Sequence, residues 1–130
     1  MNGIREARSF PAEADALPEV RRFLRERARR EGLSQSMTED LLLAASEASA
    51  NAVLHSGSSD FDVEWVASDD AVEILVRDRG SFKRRVRIPT LEGPGGFGIP
   101  LMTALADQIE IKEGSPARPG TQVRLTKRRA

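Results

Sequence analysis

The chain contains no cysteine, which excludes disulfides and thiolate metal sites. Its one histidine, His55, is too few imidazoles for an ordinary zinc site. No apolar run is long enough to cross a bilayer. The first residues, Met1-Asn2-Gly3-Ile4-Arg5-Glu6, lack the apolar stretch of a secretory leader, and the expectation is a cytoplasmic protein. Charge of neither sign prevails: 20 Lys and Arg balance 20 Asp and Glu, so the molecule as a whole has no electrostatic pull toward nucleic acid. Internal repeats, low-complexity tracts and linkers are absent too. What is present suits one domain over residues 1–130 with one core. Hydrophobic residues make up 39% and charged residues 31% of the chain, a balance that argues against disorder.

Residues 4–10 read as a short edge strand. Residues 15–31 read as a helix: Leu17, Val20, Leu24 and Ala28 recur at helical spacing, Pro18 fits a first turn, and Gly32 stops it. Its other face carries Arg21, Arg22, Arg25, Arg29 and Arg30, a solvated face or a surface for an acidic partner. A second helix, capped by Ser36 or Thr38, with Glu39 and Asp40 at its positive end, runs to about His55. Phe61, Val63 and Trp65 alternate with Asp62 and Glu64, the pattern of a strand with one buried face. Asp69-Asp70 is a turn, and residues 72–78 return as the second strand of a hairpin. A short extended piece is expected at 83–88, a Gly- and Pro-rich loop at 90–96 and a short helix at 97–106. Residues 109–111 and 121–126 read as a closing strand pair joined by 114–120. This order predicts an α+β two-layer sandwich, with helices on one face of a mixed, largely antiparallel sheet.

Several polar residues lie on faces that the pattern assigns to the interior. The second helix is apolar nearly all round, which marks a buried helix, yet Glu47, Asn51 and His55 share one stripe at four-residue steps. The plain alternative is the wet side of an amphipathic helix. Asp78 shares its face with Val72, Ile74 and Val76, and Thr121 shares its face with Val123 and Leu125. The plain alternatives are an Asp that starts a turn and a Thr satisfied by backbone at a strand start. An unpartnered buried carboxylate is costly, so these groups satisfy one another or line a cavity that a polar ligand fills; their places at element ends favour the cavity. Gly80, two residues after Asp78, permits a tight turn close to a ligand. Gly95-Gly96-Phe97-Gly98 precedes a helix, where exposed backbone N–H groups hold phosphate or simply form a turn.

These segments together resemble the Bergerat-fold ATPases, the superfamily of gyrase, histidine kinases and MutL, and within it the anti-sigma-factor serine/threonine protein kinases. The likeness covers essentially the whole chain. It rests on Ser46-Glu47-Ala48-Ser49-Ala50-Asn51-Ala52-Val53-Leu54-His55, Asp78-Arg79-Gly80, Gly96-Phe97-Gly98-Ile99-Pro100-Leu101-Met102 and Gly120-Thr121-Gln122-Val123-Arg124-Leu125, in that order. The resemblance implies that Asn51 ligates Mg²⁺ and that Asp78 accepts a hydrogen bond from the adenine amino group, supported by Thr121. Gly80 leaves room for the base, Gly96, Phe97 and Gly98 wrap the phosphates of ATP, and Glu47 is the general base that polarises a protein serine. It also implies a role in transcription regulation. Such proteins sequester a sigma factor and phosphorylate an anti-sigma-factor antagonist, without touching nucleic acid or membrane, and many are homodimers.

One departure stands out. Kinases of the family often carry a basic residue in the loop before the glycine pair, whereas Thr90-Leu91-Glu92-Gly93-Pro94-Gly95 has none. Arg79 and Lys83 are substitutes to consider, against the plainer reading of a solvated positive edge. A second function therefore stays open: a nucleotide-sensing, partner-binding module that transfers no phosphate. His55 reads as the polar end of its helix, not as a phosphorylated histidine.

Overall fold

The computed structural model describes residues 4–55, 57–80, 105–115, 117 and 119–129. The elements expected at 83–88 and 90–96, and nearly all of the helix expected at 97–106, lie outside them, as does the side chain of His55.

Strand β1 (Ile4–Pro11) is followed by helices α1 (Ala16–Arg30) and α2 (Gln35–His55) and by strands β2 (Asp60–Ala67), β3 (Ala71–Asp78), β4 (Gln108–Glu113) and β5 (Thr121–Arg128). The strands form one sheet in the order β1-β2-β3-β5-β4, and each neighbouring pair is antiparallel. The helices pack on one face, α1 on β1 and β2, α2 on β2, β3 and β5. This is the two-layer α+β sandwich that the element order predicts.

Local chemistry fixes the helices. α1 buries Ala16, Val20, Phe23, Leu24 and Ala28, one apolar stripe at helical spacing. It ends in a Schellman turn: Gly32 has φ 71°, its N–H donates to the carbonyl of Arg29, and the N–H of Leu33 donates to that of Ala28. Arg27, Arg29 and Arg30 lie in its last turn, where positive charge opposes the helix dipole.

The chain leaves that turn directly into the cap of α2. The cap is Ser34, whose Oγ accepts from the Met37 N–H at 3.1 Å, not Ser36 or Thr38 as expected. Thr38 is already helical and donates its hydroxyl to the Ser34 carbonyl at 2.8 Å. α2 then buries Leu41, Leu42, Ala44, Ala45, Ala48 and Ala52. The alanines let its axis lie close to the sheet. Leu43 and Leu54 stay exposed, on the side of the helix that carries Glu47.

Register places complete rows of side chains across the helix-facing side of the sheet. One row reads Glu6, Trp65, Ile74, Leu125, Ile109, and another reads Phe10, Phe61, Asp78, Thr121, Glu113. Trp65, Phe61, Ile74 and Leu125 are fully buried, each contributing roughly 1.5–3 kcal/mol through burial. The opposite face is a lattice of charge. Glu64 sits there among the partners Arg5, at 2.7 Å, and Arg77, at 2.9 Å, and Arg77 also donates to Gln122. Leu75 lies opposite Glu64 and Arg124 in this lattice and is buried outside the helix-side core. At the far end, Arg129 donates to the Glu31 carboxylate and to the carbonyls of Glu31 and Ser68. That clasps the end of α1 to the β2–β3 turn.

Candidate functional site

The residues expected to form the site come from α2, from the end of β3 and from the start of β5. On α2, Glu47 and Asn51 are half-buried and one turn apart, about 6 Å along the axis. Neither side chain has a hydrogen-bond or ion-pair partner among the described residues. Two further hydroxyls of this helix, Ser46 Oγ and Ser49 Oγ, are buried without a partner among the described residues.

Asp78 closes β3 on the inner face, buried at 9% exposure, as strand parity predicts. Its Oδ1 accepts the N–H of Gly80 at 3.1 Å and the N–H of Thr121 at 3.3 Å. Gly80 is thus held by the very carboxylate it follows, and the turn it makes is fixed by that bond. Thr121 lies directly opposite Asp78 in the β3–β5 register. Its Oγ1 is buried and has no partner among the described residues. A buried, unpaired hydroxyl costs about 1–3 kcal/mol, and this one stands opposite a buried carboxylate.

Gly120 is a site residue to which sequence reasoning gave no role. It has φ 138°, and a Cβ there would lie 2.4 Å from the Asp78 carbonyl oxygen and 3.3 Å from the Arg79 Cα. Only glycine fits so close to that backbone. Its signals in the sequence were its position directly before Thr121 and its place in the segment Gly120-Thr121-Gln122-Val123-Arg124-Leu125 that carries the resemblance. Gly96, Phe97 and Gly98 lie outside the described residues.

The charged residues near the site are largely committed elsewhere. Arg79 pairs with Asp60 and, at 2.7 Å, with Asp62 of β2. Asp62 and Arg77 are register partners on the charge-lattice face, so Arg79 is drawn away from the face that carries Asp78. Lys83 lies outside the described residues. The arginines of α1 are mostly paired: Arg22 with Glu19, Arg25 with Glu39, Arg29 with Glu26, Arg30 with Glu6. Each such exposed pair contributes under about 1 kcal/mol, but together they cancel much of the positive face. The carboxyl of Glu64 is pushed up by burial, yet the hydrogen bonds and charges of Arg5 and Arg77 outweigh this and hold it below its ordinary range.

Among the described residues, no group of three or more His, Asp or Glu could hold a metal by itself. No helix among them is long and apolar enough to cross a membrane.

A buried Asp78 carboxylate opposite the buried Thr121 hydroxyl, with an Asp-x-Gly turn beside them on an antiparallel sheet covered by two helices, defines a class. A family model described as histidine kinase-like ATPase domain matches residues 10–127, and the chain belongs to that family. Its relatives include proteins named serine-protein kinase RsbW. The one from Oceanobacillus iheyensis is 32% identical, the match covering 78% of this chain and 74% of that protein. The one from Bacillus pumilus is 33% identical, covering 91% of this chain and 82% of that protein. The one from Bacillus subtilis is 31% identical, covering 90% and 81%. Among solved structures, the RsbU and RsbW domains of a Mycobacterium tuberculosis protein superpose with a TM-score of 0.76 at 26% identity. That match covers 96% of this chain and 32% of the other.

Proposed function

We propose that this chain is an ATP- and Mg²⁺-dependent serine-protein kinase acting as an anti-sigma factor, which phosphorylates an anti-sigma-factor antagonist and holds a sigma factor inactive. The observation that carries the reading is the pairing of Asp78 with Thr121: a buried carboxylate held by two backbone N–H groups, beside a buried hydroxyl without a partner. An adenine edge offers the carboxylate an amino donor and the hydroxyl a ring nitrogen, direct or through water.

The α2 stripe suits the other end of the nucleotide. Mg²⁺ keeps most of its shell as water and phosphate oxygen and takes one or two protein ligands. Asn51, whose amide makes no bond to any described residue, would supply its oxygen there. ATP brings a γ-phosphoryl group whose transfer needs positioning and charge neutralisation more than covalent help. Glu47, unpaired among the described residues and one turn before Asn51, would accept the proton of the attacking serine hydroxyl as its oxygen bonds to phosphorus. The bridging oxygen keeps the electron pair as ADP departs. Gly96, Phe97 and Gly98 complete the reading as the phosphate wrap. A cytoplasmic location and pairing with a second copy belong to the same proposal.

One specific observation favours a second reading, a nucleotide-sensing module without phosphotransfer. The string Thr90 to Gly95 has no Lys or Arg, and Arg79 is tied to Asp60 and Asp62. A cation on the γ-phosphate is worth roughly 10³-fold or more in rate in related chemistry. Incubation with γ-labelled ATP, Mg²⁺ and the cognate antagonist decides between them. The kinase reading expects label on the antagonist with the wild type and almost none with Glu47→Ala. Tight ATP binding with no transfer supports the second reading, and equal transfer by Glu47→Ala removes the general-base role.

A further inference from the structure

The row that contains Asp78 is open on one side only. Toward β1 it continues through Phe61 and Phe10, both buried and stacked with ring centroids 5.8 Å apart. No ligand held at Asp78 can extend that way. Toward the other edge the row continues through Thr121 to Glu113, the last residue of β4. Glu113 is exposed and has no ion pair or hydrogen bond to a described residue. Lys112 and Glu110 alternate to the opposite face, where Glu110 meets Arg124. No cation of the described residues neutralises Glu113 on the inner side.

Adjacent strands lie about 4.8 Å apart, so Glu113 stands roughly 9.6 Å from Asp78 along the row. That span matches a nucleoside from its exocyclic amino group to its sugar hydroxyls. A bare carboxylate repels phosphate but accepts hydrogen bonds from hydroxyls, and its two oxygens suit a vicinal pair. We infer that Glu113 is a specificity-determining residue of the nucleotide site, whose carboxylate accepts hydrogen bonds from the ribose hydroxyls and so selects ribonucleotides over deoxyribonucleotides. This rests on the reading of Asp78 and Thr121 as the base-binding end.

The test is calorimetric titration of the whole chain with ATP and with 2′-deoxy-ATP, each with Mg²⁺, for wild type, Glu113→Ala and Asp78→Asn. Glu113 is exposed at a strand end, and melting of the unliganded variants confirms folding. A hydrogen bond to a charged acceptor predicts that wild type favours ATP by about tenfold. Glu113→Ala should lose about that factor for ATP and little for 2′-deoxy-ATP, so the preference collapses. Equal change for both nucleotides, or none for either, overturns the role of Glu113 while leaving the site itself intact. Wild type that binds neither nucleotide overturns the base-binding reading and this inference with it. Unimpaired binding by Asp78→Asn would overturn the base-binding reading and, with it, the span from Asp78 on which the role of Glu113 is argued.

Discussion

Asp78 and Thr121 face each other across β3 and β5, and the threonine N–H donates to the aspartate Oδ1 at 3.3 Å while its hydroxyl finds no partner among the described residues. The backbone of one residue thus fixes the carboxylate, and the side chain of the same residue is left for something else. Thr121→Val keeps the N–H and the shape and removes only the hydroxyl. The unliganded variant should be as stable as wild type or up to about 1 kcal/mol more so, because an unsatisfied group is gone. Its ATP affinity should fall by roughly 5–10-fold. Asp78→Asn should nearly abolish the thermal stabilisation that ATP confers on the folded state. Chemical denaturation and ATP-dependent melting measure the two effects, and a large loss of unliganded stability in Thr121→Val would show that the hydroxyl has a structural partner.

Gly120→Ala places a methyl against the backbone of Asp78, at a φ that side chains avoid. Strain and collision together should cost about 2–3 kcal/mol, lowering Tm by roughly 6–12 °C. Because the atom struck is the Asp78 carbonyl, ATP affinity should fall as well. A variant with unchanged Tm would mean that the β4–β5 connection relaxes freely.

Ser49 is fully buried, and its Oγ has no partner among the described residues. Ser49→Ala should leave stability unchanged or raise it by up to about 1 kcal/mol. Ser49→Leu should lower it by about 1–3 kcal/mol through overpacking. Urea midpoints at fixed m-value discriminate the outcomes, and a clear destabilisation by alanine would contradict the orphan hydroxyl.

The Glu64 carboxyl is held below its ordinary range in the folded state by Arg5 and Arg77, against the push of burial. A depressed value means that the folded state favours the ionised form. Its contribution is therefore complete above the unfolded value, about 4.3, and is lost as pH falls through the lower folded value. Both arginines are more than a third exposed, so the network contributes only about 1–2 kcal/mol. Glu64→Gln should be less stable than wild type by that amount at pH 7, with the gap shrinking below about pH 4. A gap that stays constant from pH 7 to pH 3 would assign the loss to packing.

The pattern of side chains carried much of this site. Alternation in Phe61-Asp62-Val63-Glu64-Trp65 and the parity of Val72 to Asp78 suffice to place Asp78 on the inner face, and the same parity places Thr121. What stayed hidden depends on residues distant in sequence. Nothing local says that β5 inserts between β3 and β4, so the row from Phe10 to Glu113 cannot be read beforehand. Glu64 looks solvent-facing in the sequence, but arginines from β1 and β3 cover it and leave it buried. The need for glycine at position 120 comes entirely from the carbonyl of Asp78. The cap of α2 was misplaced because Ser34, Ser36 and Thr38 are all competent caps. The Schellman turn at Gly32 and Leu33 settles the choice in favour of the first.

The strand order has a consequence for how the protein is made. β5 is synthesised after every other described element, yet it occupies an interior place in the sheet, paired on both sides. Until it leaves the ribosome, β3 and β4 have no common neighbour, and Asp78 has no threonine opposite it. The nascent chain can form the β1–β2–β3 meander and lay its helices on it, but it presents an open edge on β3 where the next strand belongs. The pairing of Asp78 with Thr121 is therefore among the last features to form. A ligand that engages Asp78 and Thr121 together can stabilise only a chain that has completed its fold.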